Sequence, residues 1–241
     1  MNTAELVRAP HHELSYSEED RRDVNSFTLD EILKFDKQAA VHYSRALGLQ
    51  ETGMSVNEVA LLYDLLEKKG ACNIVELGRN YACSTRLFLQ HVLRRGGFLE
   101  SWDLKHWGDV HKTFSNQGFE VQDVHGDYFV QKPGAGEPTL AWLRIADSRK
   151  DNIMPRERWV DFLLIDTEHG MEDALGEYMR WRPYLKGGAM VAFHDSTLPG
   201  VKRAIEVCVE VEDKASPGRI VRQWQNERED GFGVAILEWK G

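Results

Sequence analysis

The sequence predicts a doubly wound α/β fold: a mostly parallel seven-stranded sheet with helices on both faces and a C-terminal antiparallel hairpin. Three observations predict it. Residues 160–166 (VDFLLID) and 189–195 (AMVAFHD) are short apolar runs without alternation that end in acid, the pattern of strands buried on both faces of a parallel sheet. Upstream, short strand-like runs alternate with apolar-periodic helical ones, as βαβ units require. The last two runs, 219–224 and 232–239, are joined by QNEREDG, a link too short for a crossover helix, so they form a hairpin.

The elements follow in order. Residues 1–26 are acidic and poor in apolar side chains, and read as a solvated tail, with a lid or a partner contact as the alternative. Thr28-x-x-Glu31 and Ser55-x-x-Glu58 match the capping box, in which hydroxyl and carboxylate satisfy each other's orphan amides. Helices are expected over 29–47 and 56–69, closed by Gly48 and Gly70. Residues 1–54 thus form a tail and helical extension, and 55–241 the main domain. A strand at 73–77 (NIVEL), a helix at 84–95 and, after Gly96-Gly97, a strand at 98–103 (FLESWD) make the first βαβ unit. A helix at 107–117 and a strand at 142–146 come next. Then follow the run 160–166, a helix at 171–182, the turn Lys186-Gly187-Gly188, the run 189–195, a helix at 200–211 and the hairpin. The span 119–140, which contains KPGAGEP, reads as an insertion with no assigned element.

With 241 residues, 42% of them hydrophobic, the chain can bury one sizeable core. A formal charge of −9 argues against a phosphate-binding surface of clustered Lys and Arg, so a small molecule, not nucleic acid, is the expected partner. Cys72, Cys83 and Cys208 show no C-x-x-C spacing; neither a disulfide framework nor a structural zinc is indicated, and a reducing compartment is expected. The N-terminus lacks an apolar signal core, and no run reaches the ~18 residues a membrane span needs. The reading is cytoplasmic, with no membrane partner; the oligomeric state stays open, a homo-oligomer included.

In open α/β sheets ligands bind beyond the carboxyl ends of the strands, so Asp166, His194 and Asp195 should project into one crevice. The first strand runs into its helix through Glu76-Leu77-Gly78-Arg79-Asn80-Tyr81-Ala82-Cys83-Ser84-Thr85. Gly78 lets a ligand approach the backbone, Asn80 lies in the same loop, and Ser84 can cap the helix while offering hydroxyl and amides to an anion. The fingerprint G-x-G-x-x-G is absent. Asp103, ending the second strand, suits ribose hydroxyls. Asp147-Ser148 offers another carboxylate and hydroxyl; Asp127 is the rival, but Asp147 sits one short connection and one strand before Asp166. His169, three residues after Asp166, suits proton removal near neutral pH. Each has a plain structural alternative: a turn glycine with a capping serine, a strand-end His-Asp pair, a helix-opening histidine. Trp102, Trp107 and Trp181 could wall a pocket or fill the core.

Together E-x-G…S-T, the strand-end Asp103, A-D-S, I-D-x-x-H and G-G-x-x-x-x-x-H-D resemble the class I S-adenosylmethionine-dependent methyltransferases. Over residues 55–240 the pattern is most similar to the small-molecule O-methyltransferase branch, which includes catechol-type and sugar-modifying enzymes. The resemblance implies a Rossmann-like methyltransferase fold and transfer of a methyl group from S-adenosylmethionine to a hydroxyl of a sugar, phenol or natural product. It places Glu76 at the amino end of the cofactor's methionine, Ser84 at its carboxylate, Gly78 and Asn80 in the cofactor loop, Asp103 on the ribose, and Asp147 and Ser148 beside the adenine. It further implies a divalent metal held by Asp166, His194 and Asp195 next to the reacting hydroxyl, with Asp166 and His169 as the catalytic pair.

The chain departs from the family pattern twice. Ala82 stands where a second glycine is usual, which costs on the order of 1 kcal/mol if the backbone there needs a positive φ. His194 stands where an oxygen ligand is commoner, favouring manganese, iron or zinc over magnesium. Both departures are what a non-catalytic cofactor-binding module would carry, the first alternative. The second is a nicotinamide-dependent oxidoreductase with Tyr128-x-x-x-Lys132 as its active pair; Pro133 and the absence of a helical pattern speak against it.

Overall fold

The computed structural model describes residues 7–8, 56–80, 82–105, 109–134, 138–153, 158–218, 220–227 and 233–240. The helix expected at 29–47, the boundary at 54/55 and Trp107 lie outside these residues. In chain order the elements are β1 (Val7–Arg8), α1 (Val56–Lys69), β2 (Asn73–Leu77), α2 (Cys83–Arg95), β3 (Phe98–Asp103), α3 (Val110–Asn116), β4 (Glu120–Val124), β5 (Asp127–Gln131), β6 (Thr139–Ile145), β7 (Val160–Ile165), α4 (Met171–Trp181), β8 (Leu185–His194), α5 (Pro199–Ala215), β9 (Ile220–Glu227) and β10 (Gly233–Trp239).

These elements fall into two compact units. In the first, the strand order is β1-β9-β10-β8-β7-β2, with β2, β7 and β8 mutually parallel and β10 antiparallel to both β8 and β9. The apolar residues of the two runs are buried: Phe162 through Ile165 and Met190 through Phe193 are each at most 3% exposed. Helix α4 buries Ala174, Glu177, Tyr178 and Trp181, and α5 buries Val201, Ala204, Ile205 and Cys208. Both sets follow the i, i+3, i+4, i+7 spacing of a helix with one face inward.

In the second unit the order is β3-β6-β5-β4. Strand β6 is parallel to β3 and antiparallel to β5, which pairs antiparallel with β4. All seven expected strands are present as β2, β3 and β6 through β10, and β6 starts three residues before its expected position. The unassigned span is a second hairpin: His125 (φ 57°) and Gly126 (φ 94°) make a left-handed two-residue turn between β4 and β5. Such mirror-type turns match the twist of paired strands. Helix α3 begins at Val110, where the Asp109 carboxylate accepts a hydrogen bond from the Lys112 amide at 2.8 Å; this cap makes the helix shorter than expected. Tyr128 lies on β5, so the Tyr-Lys spacing sits on a strand and not on the helix a reductase would need. Among the described residues no helix is long and apolar enough to cross a membrane.

Candidate active site

Strand register brings the site together. Ile165 pairs with Phe193 and Leu77 with Ile165, so the next residues, Gly78, Asp166 and His194, leave three neighbouring parallel strands at one edge. The Asp166 amide donates to the Leu77 carbonyl at 2.8 Å, which extends the ladder one step and fixes Asp166 where the carboxylate emerges. Gly78, at φ +88°, could carry no side chain here, since a Cβ would lie 1.9 Å from the Asp166 carbonyl oxygen. The glycine thus serves the packing of two strand ends, a task separate from the ligand approach expected of it.

Asp166, His194 and Asp195 converge as the sequence predicts: one ligand atom from each lies within 4.8 Å of the others. His194 Nδ1 is 2.9 Å from Asp166 Oδ1 and 3.4 Å from Asp195 Oδ2. Asp195 turns back toward its neighbour through a left-handed backbone (φ 53°), a conformation Asp tolerates better than most residues. His169 closes the group from outside, with Nε2 2.7 Å from Asp195 Oδ2. Burial pushes the Asp195 carboxyl pKa up, but hydrogen bonds and charge from His194 and His169 outweigh it and hold the group below its ordinary value. An anionic, largely buried carboxylate flanked by two imidazoles is a donor set for a divalent cation or a charge relay for one proton.

In the second unit, Asp103 organises the loop that follows β2. Its Oδ2 accepts from the Arg79 amide at 2.9 Å and the Asn80 amide at 2.8 Å, and Oδ1 from the Lys105 amide at 3.3 Å. Oδ2 thus has both lone pairs engaged, and Oδ1, which accepts once, retains one for a hydroxyl donor. Two non-glycine residues in this loop, Asn80 (φ 46°) and Ala82 (φ 64°), are left-handed, so the position where a glycine is usual does need a positive φ. Ala82, not Ser84, is the N-cap of α2. Ser84 lies buried in the first turn; its expected capping role is corrected, because the left-handed Ala82 starts the helix earlier. Beneath the loop, buried Arg79 donates to the Ser101 carbonyl at 3.0 Å and the Arg144 carbonyl at 3.3 Å. Trp102 is fully buried under the Arg144 guanidinium, 3.7 Å from its ring centre, and Trp181 is also fully buried in the other unit; both fill the core.

After β6, Asp147 is held by Lys150 at 2.9 Å and by the Arg149 amide and guanidinium. The Lys150 hydrogen bond, with those from Arg149, lowers its carboxyl to about 2. Ser148 donates its hydroxyl to Glu177 Oε1, while Thr167 Oγ1 donates to Glu177 Oε2 at 2.6 Å. Burial raises the Glu177 carboxyl to about 7 despite these bonds. Sequence reasoning missed Glu177 and Arg79. Glu177 occupies a core-facing helical position where an apolar residue is the norm, and that mismatch is the signal that could have found it.

A sequence model of the family described as "Methyltransferase domain" matches residues 75–196, just over half of the chain, from within β2 to just past β8. The chain belongs to this methyltransferase family. Among solved structures, the methyltransferase is similar to the O-methyltransferase TomG from Streptomyces achromogenes, involved in tomaymycin synthesis and solved in complex with SAM (16% identity, 94% of this chain and 100% of that chain, TM-score 0.54). It is likewise similar to an O-methyltransferase from Bacillus cereus in complex with SAH (15%, 92% and 99%, 0.52) and to an SAH-bound methyltransferase from Podospora anserina (12%, 96% and 100%, 0.51). At these identities the likeness establishes the fold, the Rossmann-like methyltransferase architecture the sequence implies. No curated protein matches the chain.

Proposed function

We propose that this methyltransferase moves a methyl group from S-adenosylmethionine to a hydroxyl of a small polar acceptor, a sugar, phenol or natural product, with help from a divalent cation. The observation that carries the reading is the convergence of Asp166, His194, Asp195 and His169 at the tips of β7 and β8. Similar structures solved in complex with SAM or SAH support the cofactor. When bound, S-adenosylmethionine supplies an electrophilic sulfonium methyl, and a divalent cation supplies charge that lowers the pKa of the acceptor hydroxyl.

The residues fit both groups. Asp166 and Asp195 offer carboxylate oxygens and His194 an imidazole nitrogen, a mixed set that suits manganese, iron or zinc better than magnesium. Glu76 and Ser84 take the two ends of the cofactor's methionine, with Gly78 and Asn80 in the loop between them. Asp103 would accept from a ribose hydroxyl with the one Oδ1 lone pair its backbone contacts leave. Asp147 and Ser148 flank the adenine. His169 would receive the proton of the acceptor hydroxyl, while Asp195, 2.7 Å from its Nε2, would orient the ring and stabilise the imidazolium.

A second reading follows from the 2.7 Å contact of His169 with Asp195: the pair alone could serve as the base, with no metal. Calorimetry and activity measurements decide between these readings. S-adenosylmethionine should bind and NAD should not. Radiolabelled methyl should reach an acceptor from a panel of hydroxylated compounds, and chelator should abolish transfer until manganese is restored. Turnover undiminished in chelator would favour the metal-free base. Affinity for NAD with none for S-adenosylmethionine would overturn the assignment.

A further inference from the structure

Helix α4 drives one acid into the core between two strand-end loops. Glu177 is 1% exposed, and its two oxygens are divided: Oε1 holds the Ser148 hydroxyl behind β6, and Oε2 holds the Thr167 hydroxyl at 2.6 Å behind β7. Thr167 directly follows Asp166, so a single carboxylate braces the loop proposed to flank the adenine and the loop that bears a proposed metal ligand. The charges facing it are Arg149, which favours the anion, and Asp173 in the first turn of α4, which opposes it. These two are themselves paired through the Arg149 guanidinium. Glu177 touches neither the strand-end histidines nor Asp195 among the described contacts.

The direction of these hydrogen bonds has chemical consequences. An ionised carboxylate only accepts, so the Ser148 proton is committed to Glu177 and the Ser148 oxygen can offer nothing but lone pairs to a ligand. A lone pair is the partner required by the exocyclic amine of adenine. A protonated Glu177 must donate from one oxygen; if that proton goes to Ser148, the serine hydroxyl turns and presents its own proton, which repels an amine and suits a carbonyl. We propose that Glu177 is a positioning residue that sets the hydrogen-bonding sense of Ser148, so that the anionic form selects an adenine-bearing cofactor over a 6-oxopurine one. The inference rests on the assignment of Ser148 to the adenine site.

Because burial brings the Glu177 carboxyl to about 7, the selection is pH-dependent near neutrality. If only the anionic form binds well, affinity for S-adenosylhomocysteine falls about tenfold from pH 8 to pH 6. The test is calorimetry of S-adenosylhomocysteine and of its inosine analogue at pH 6, 7 and 8, on the full chain and on Glu177→Gln and Ser148→Ala, with melting curves to establish folding. The wild type should bind the adenosyl ligand about tenfold more weakly at pH 6, and its preference over the inosyl ligand should shrink over the same range. Glu177→Gln should bind more weakly at pH 8 and show a flat profile; should it fail to fold, Ser148→Ala must still flatten the profile. A folded Glu177→Gln with wild-type affinity and pH profile overturns the inference, as does a Ser148→Ala that keeps the pH dependence. Tight wild-type binding with a flat profile overturns it while leaving the cofactor assignment standing. No binding of S-adenosylhomocysteine at pH 8 overturns both.

Discussion

Replacing Gly78 with alanine tests whether the ends of β2 and β7 are packed as described. At φ +88° an alanine pays the left-handed penalty, about 1–2 kcal/mol. Its Cβ would also lie 1.9 Å from the Asp166 carbonyl oxygen and 2.6 Å from the carbonyl carbon. Those are backbone atoms, tethered by the Asp166 amide to the Leu77 carbonyl, so relief requires a shift of the strand end and a further cost of about 1–3 kcal/mol. The expected total is a destabilisation of about 2–5 kcal/mol, read from urea unfolding with the m-value unchanged. Gly126→Ala is the control: its φ is +94°, but nothing lies within 4 Å of the added carbon, so it should show the conformational penalty alone. Gly78→Ala should in addition weaken manganese binding, because the shift displaces Asp166. Equal losses for the two variants, with manganese binding intact, would refute the packing argument.

Further consequences can be checked with the same materials. Ala82→Gly should change stability by less than about 0.5 kcal/mol, because relief of the left-handed backbone is offset by the lost burial of a methyl and by the freer unfolded chain; a gain above 1 kcal/mol in urea unfolding would contradict this balance. His169→Gln should lower kcat by about 10²–10⁴-fold while leaving calorimetric affinity for S-adenosylhomocysteine within twofold; equal loss in both would remove the proton role. The pH dependence of stability has two opposite limbs. Asp147, lowered from 3.8 to about 2, contributes fully above 3.8 and loses its contribution as pH falls toward 2. Glu177, raised from 4.5 to about 7, binds more protons folded than unfolded in that window, so its effect is a stability that declines as pH rises from 4.5 to 7. Melting curves of Glu177→Gln should lack that decline.

Much of this architecture was legible because parallel strands buried on both faces leave unmistakable apolar runs, and because a polar residue at the tip of such a run has few other reasons to be there. Asp166, His194 and Asp195 were readable on that logic, and adjacent register brought them together. The β4–β5 hairpin was not, since β4 is an exposed strand with no apolar alternation, and its turn advertises itself only through His125-Gly126. The start of α2 was misjudged by one residue because Ala82 takes a conformation that its side chain disfavours, which no propensity scale anticipates. Asp103 shows a different gap. Its position at a strand end was plain, but its bonds to the Arg79 and Asn80 amides arise from a tertiary loop closure that spacing alone does not encode. Glu177 escaped notice because its partners, Ser148 and Thr167, are 29 and 10 residues away and meet it only in the folded chain.

The proposed function depends most on a divalent cation at the tips of β7 and β8. Crystals grown with S-adenosylhomocysteine and manganese, measured at the manganese absorption edge, test it most directly. The expected result is one anomalous peak coordinated by Asp166, His194 and Asp195. A peak elsewhere, or an ordered cofactor with no metal at these three side chains, would contradict it.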